Sequence, residues 1–317
     1  MEMSAACRAE QRHRSWRRPF RWWRWGLWIL AATTLTACSQ LAVATPRPTT
    51  ITIAGATAMH PVLRALTAAF NQQHPSTLFV IRGGGSTLGE QQVASGQVDL
   101  AASTLWPAQE SPGNGSSPRP ASRLTRIPIG LDGIAVVVHP SNRVEGLTMT
   151  QLQEIYSGRI LDWQEVGGTP GDILLVSRED GSGTRRAFEE RVMGDEPVSL
   201  TAVVMPTSQD VVEFVAKTPQ AIGYVSLAYV PAPGEPGSGT PEAVETPTPA
   251  TLRPLRVLPI DGVWPTPTSL RDQSYPLLQP LYLVSRGEPR GNVRQFVDFV
   301  LSPAGQEIVG RFHLPVR

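Results

Sequence analysis

Three times in this chain a short apolar run gives way to a cluster of glycine and hydroxyl residues, and then to a helix-like segment. Residues 51–54 lead into 55–60 and a helix opened by Pro61; residues 78–81 lead into Gly-Gly-Gly-Ser-Thr (83–87) and 88–95. Residues 173–176 lead into Ser-Arg-Glu-Asp-Gly-Ser-Gly-Thr (177–184) and the helix-like 185–192. This repeated construction restricts the fold more than any other feature. Strand–loop–helix units in succession favour a parallel α/β sheet, and their loops gather at the carboxyl ends of the strands, where ligands bind.

Each loop is open to several readings. Any one of them serves as a plain helix N-cap. Together they suit an anion, because helix amino termini offer unpaired N–H groups and a partial positive charge. Glycine lets the backbone approach closely, and Ser and Thr add hydroxyl donors. Arg178 adds a full charge and a planar donor fork that matches an oxyanion. Asp180 beside an anion makes sense if the ligand carries a proton, or if it holds Arg178 in place. Ser182 as a nucleophile would need a base, for which His60 and His139 are the only candidates. The loop 83–87 is no P-loop, since the chain's only Lys is Lys217, and Asp-Gly-Ser-Gly-Thr is not the GxSxG nucleophile elbow.

The remaining pattern continues the alternation. Val62, Leu63, Leu66, Ala69 and Phe70 give the first helix one apolar face, and residues 98–102, 134–138, 221–225 and 281–285 read as strands. Thr148-x-x-Gln151 is a capping box that opens a helix through Tyr156, and 208–216 is a further helix. Val293, Phe296, Val297, Val300 and Leu301 mark another, and Ser302-Pro303 starts the last. Residues 108–120 read as a flexible loop, and the Pro-, Gly-, Thr- and Glu-rich stretch 231–254 as a disordered excursion.

The amino terminus reads as an address. Seven Arg precede the twelve-residue apolar run 26–37, a basic region and short apolar core of the secretory type, too short to span a bilayer comfortably. Leu35-Thr36-Ala37-Cys38 resembles the bacterial lipobox, in which the cysteine becomes the lipidated first residue; residues 39–50 then read as a Pro- and Thr-rich stalk. Without residues 1–37 the chain keeps 21 basic against 25 acidic residues and no basic block, which argues against a nucleic-acid surface. With only Cys7 and Cys38 there is no disulfide framework, and the five His fall in no metal-ligand spacing, so neither a metal nor a cofactor is expected.

Taken together, these segments resemble the periplasmic phosphate-binding proteins of ABC transporters. The resemblance runs from about Ile51 to Arg317 through "IAGATAMHPV", "GGGSTLGEQQVASGQVDLAAST", "DGIAVVVHPSN", "LTMTQLQEIYSGRILDW", "SREDGSGTRRAFEE", "AIGYVSLAYV", "YPLLQPLYLVS" and "FVDFVLSPAGQEIV", and fails only in the two low-complexity insertions. It implies a type 2 periplasmic-binding-protein fold: two α/β lobes joined by two crossing strands, with the ligand in the cleft. The expected layout is a signal peptide at 1–37, a tether at 38–49, one lobe from 50–134 and 275–317, and the other from 135–274. The family's ligand loops map onto Thr57, Ala58, Met59 and His60, onto Ser86 and Thr87, onto Ser103 and Thr104, and onto Arg178, Asp180, Ser182, Gly183 and Thr184. Thr104 stands where well-known members carry a proton-accepting Asp, which leaves the site less hostile to sulfate, molybdate or tungstate. The resemblance further implies capture of phosphate by lobe closure, no catalysis, delivery to membrane permease subunits, a lipid anchor at Cys38 on the extracytoplasmic face, and a monomer. A diverged anion sensor on the same fold is the alternative reading.

Overall fold

The computed structural model describes residues 48–107, 124–230 and 255–316. The leader, Cys38, the tether up to residue 47, and the insertions expected at 108–120 and 231–254 lie outside the described residues.

Strand β1 (Thr49–Gly55) and strand β2 (Thr77–Gly84) flank helix α1 (His60–Gln73), which Pro61 opens in its first turn. Its buried side is Val62, Leu63, Leu66, Thr67 and Phe70, the i, i+3, i+4 spacing of one helical face. Helix α2 (Gly85–Ser95) and strand β3 (Leu100–Ser103) follow, then the 15-residue strand β4 (Leu124–Val138). Helix α3 (Met149–Ser157) starts at the expected capping box: the Thr148 hydroxyl accepts the Gln151 N–H, and the Gln151 side chain accepts the Thr148 N–H. Next come β5 (Leu174–Arg178), α4 (Gly183–Phe188) with one π-helical turn to Met193, β6 (Val203–Met205), α5 (Ser208–Lys217) and β7 (Ala221–Ser226). The chain ends with β8 (Arg256–Leu258), α6 (Pro267–Arg271), β9 (Leu278–Arg286), α7 (Gly291–Leu301), α8 (Pro303–Gly310) and β10 (Leu314–Pro315).

The strands run in the order β2-β1-β3-β9-β4-β7-β5-β6. The expectation of a parallel sheet holds for β2-β1-β3 and for β7-β5-β6. Between them β9 and β4 are antiparallel to their neighbours, so the sheet is mixed. Strand β4 changes partners along its length: residues 124–133 pair with β9, and 134–138 pair with β7, with β8 alongside 136–138. Its two ends accordingly enter different cores. Ile129 packs with Ile51, Leu63, Phe70, Leu281 and Phe296, whereas Ile134 and Val136 pack with Leu152, Tyr156, Phe188 and Tyr224. Strand β9 makes the same passage, with Leu278 in the second core and Leu281 and Leu283 in the first. Two α/β lobes are thus joined by a pair of antiparallel strands, as expected for "GIAVVV" and "YPLLQPLYLV".

Candidate functional site

Where the carboxyl ends of β1 and β5 meet the amino ends of α2 and α4, the chain forms a small, tightly walled cavity. It is lined by Ala56, Thr57, Ala58, Gly85, Arg178, Ser182, Gly183 and Thr184.

Arg178, at the end of β5, is 1 % exposed. A buried guanidinium needs its donors occupied. Nε and Nη2 each donate to one oxygen of Glu179 at 2.9 Å, Nη1 donates to Ser208 Oγ at 3.0 Å, and Nη2 also donates to Thr57 Oγ1 at 3.1 Å. Burial pushes the Glu179 carboxyl above its ordinary range, and the charge of Arg178 opposes that shift. Beneath the site Phe188 stacks on Tyr224 with centroids 4.1 Å apart, and the Tyr224 phenol, pushed up to about 12 mainly by burial, shares a 2.8 Å hydrogen bond with Ser177.

Thr57 joins the lobes. Its hydroxyl accepts from Arg178 and from the Ser208 N–H at 3.1 Å, and its carbonyl accepts from Tyr229 Oη at 2.6 Å. A further bridge runs from the Thr87 N–H to the Gly181 carbonyl at 3.2 Å. These bonds place the protein in a closed conformation.

Close approach at the cavity depends on two glycines. Gly85 has φ +82°, and a Cβ there would stand 2.4 Å from the Gly181 carbonyl oxygen. A Cβ on Gly183 would meet Thr104 Oγ1 at 2.2 Å and Ser86 Oγ at 2.5 Å. Ser86 in turn accepts the Thr104 N–H at 3.1 Å, so Ser86, Thr104 and Gly183 form one tightly packed wall.

Of the residues expected to bind the ligand, Thr57, Ala58, Arg178, Ser182, Gly183 and Thr184 line the cavity. Other expected residues sit elsewhere. Met59 is fully buried in the first core, and its N–H is bonded to the Ala56 carbonyl. His60 donates its N–H to the Thr57 carbonyl, and its buried Nε2 has no hydrogen-bond partner. The Ser103 hydroxyl donates to Glu90, which pairs with Arg126, so it props the wall from behind. Ser182 Oγ accepts the Arg185 N–H, the bond of an N-cap.

Asp180 differs most. Its side chain is 94 % exposed and pairs with Arg185, which also donates to the Arg178 carbonyl at 2.8 Å. Asp180 therefore staples the outside of the turn, and the carboxylate on Arg178 is Glu179, whose longer side chain reaches back along the strand. Glu179, Ser208 and Tyr229 are the site residues that the loop pattern missed. Only Ser208 left a sequence signal, as the first residue of a helix capped by Thr207 through the Asp210 N–H.

A family model described as the PBP superfamily domain matches residues 42–304. The phosphate-binding protein PstS of Bacillus subtilis is 29% identical over 269 residues, covering 84% of this chain and 80% of that one. A candidate phosphate ABC transporter substrate-binding protein from Clostridium perfringens, solved with bound phosphate, is 30% identical, with a TM-score of 0.71 over 84% of this chain and 98% of its own. An ABC-type phosphate transport receptor from Vibrio cholerae is 26% identical, with a TM-score of 0.60 over 84% of this chain and 100% of its own. With its two lobes, its crossing strands and its cleft, the chain belongs to the PBP superfamily, among the substrate-binding proteins of phosphate ABC transporters.

Proposed function

We propose that this protein captures inorganic phosphate outside the cytoplasm and presents it to the permease of an ABC importer. The observation that carries the reading is the buried Arg178, set in a small cavity among the Thr57, Ser182 and Thr184 side chains and the starts of α2 and α4. A guanidinium, hydroxyls and helix amino termini together replace the hydration shell of a tetrahedral oxyanion. Closure excludes water and so strengthens each of these bonds. The two crossing strands are the natural hinge, and the closed form is the one that docks on the permease.

In this reading no bond of the ligand is broken. Ser182 is a cap and a hydrogen-bond donor rather than a nucleophile. Cys38 carries the lipid that tethers the monomer to the membrane, with residues 38–49 as its leash, and the lobes change over within β4 and β9, with Ile134 and Leu278 already in the second core. Among the described residues no helix is long and apolar enough to cross a membrane.

Calorimetric titration with phosphate, sulfate and molybdate tests the reading. Phosphate binds most tightly, and Arg178→Ala weakens it by about thirty-fold or more, because the substitution leaves Glu179 unpaired and removes the only full positive charge that lines the cavity among the described residues. Tighter binding of sulfate or molybdate would reassign the ligand. Undiminished phosphate binding by Arg178→Ala would refute the site.

A further inference from the structure

Two adjacent carboxylates compete for a role beside the anion. Glu179 is 23 % exposed and Asp180 94 %. Glu179 meets Arg178 fork to fork, with both oxygens at 2.9 Å from Nε and Nη2. It also reaches the opposite lobe, since a Cβ on the cavity-lining Gly85 would stand 3.1 Å from Glu179 Oε1. The remaining bonds of Arg178, to Ser208, Thr57 and the Met205 carbonyl, complete a fixed plane for the guanidinium.

That arrangement has an electrostatic cost for some ligands. Arg178 and Glu179 together carry no net charge. An entering dianion gains from the arginine and is repelled by the carboxylate behind it, in a site with little water to screen either. The repulsion is relieved by one proton on the ligand; a proton on Glu179 would instead disrupt its two-oxygen pairing with Arg178. Burial already raises the proton affinity of Glu179, opposed by Arg178 and, more weakly, Arg185. Phosphate can bring a proton near neutral pH, whereas sulfate cannot.

We propose that Glu179, and not Asp180, is the residue that positions Arg178, and that its negative charge selects oxyanions that carry a proton over those that do not. This supplies the discrimination that Thr104 cannot, and it rests on the phosphate-receptor reading. Glu179 acts through Arg178 and through charge, so it is a positioning and specificity residue.

The test is calorimetric titration of the wild type, Glu179→Gln, Glu179→Asp and Asp180→Asn with phosphate and with sulfate at neutral pH. The readout is the ratio of the sulfate Kd to the phosphate Kd. Loss of packing or of fold weakens both anions together and leaves that ratio in place. Glu179→Gln lowers the ratio by about ten-fold or more, as expected for removing one charged partner at hydrogen-bond range. Glu179→Asp restores most of the ratio, and Asp180→Asn moves it less than Glu179→Gln does. A Glu179→Gln protein with the wild-type ratio, or an Asp180→Asn protein with an equally lowered one, overturns the assignment alone. A wild type that binds neither anion overturns the receptor reading and this assignment with it.

Discussion

Thr57 Oγ1 and Arg178 Nη2 lie 3.1 Å apart although 121 residues separate them in the chain. One belongs to the loop after β1 and the other to the end of β5, so this hydrogen bond crosses the cleft. The same hydroxyl also accepts the Ser208 N–H. Replacing Thr57 by Val keeps the volume and leaves both donors without their acceptor. Phosphate affinity falls by about ten-fold, in keeping with the cost of an unpaired buried donor to a charged network, and calorimetry measures it.

Gly183 gives a steric prediction. In Gly183→Ala the new methyl would overlap Thr104 Oγ1 and Ser86 Oγ, both on the other side of the cleft. The lobes then cannot reach their closed separation. Anion binding is severely weakened, whereas urea unfolding shows a loss of no more than about 1–3 kcal/mol, the usual range for overpacking. A variant that binds as well as wild type would mean that the wall is not closed in the bound state.

Trp106 offers a signal of closure. The guanidinium of Arg191, on the π-helical turn after α4, lies 5.8 Å from its ring, so a cation–π contact spans the two lobes near Thr104. Trp163 is buried in the second core, and Trp264 packs against the cluster around Val211 and Val225. Phosphate addition changes tryptophan fluorescence in the wild type. Trp106→Phe removes most of that change while calorimetry still detects binding.

His60 sets a pH dependence. Burial, followed by repulsion from Arg64 and Arg178, lowers its pKa below the ordinary 6.5, and only the bond to the Arg82 backbone opposes this. The folded protein therefore binds fewer protons than the unfolded chain as the pH drops below that value. The stability His60 contributes is present above pH 6.5 and is lost as the pH falls from there through the depressed folded pKa. His60→Gln flattens this acid limb of the stability curve, as urea titrations at a series of pH values would record.

The sequence was most informative where side-chain chemistry and local pattern coincide. The α1 face, the Thr148 capping box and the Ser302-Pro303 helix start follow from spacing alone, and the cavity forms where the glycine and hydroxyl loops meet. Strand β4 was harder to see. Only 134–138 reads as a strand, because Pro128, Gly130 and Gly133 interrupt the apolar pattern before it, and the pairing with β9 shifts register between Pro128 and Gly130. Helix α2 begins inside the glycine run, with the left-handed Gly84 as its cap, so it starts three residues before the apolar periodicity does. The roles of Glu179 and Asp180 were not legible for a different reason. Neighbours in a turn point in opposite directions, and which of them faces Arg178 is fixed by Arg185, Ser208 and Thr57 reaching the turn through space.

The passage of β4 and β9 through both cores also bears on how the chain acquires its structure. The first core draws Ile51–Ala102 residues from near its beginning and Leu281, Leu283, Phe296 and Val309 from its last forty positions. An emerging polypeptide cannot complete that core until almost all of it has been made, so assembly is delayed and dominated by long-range pairing.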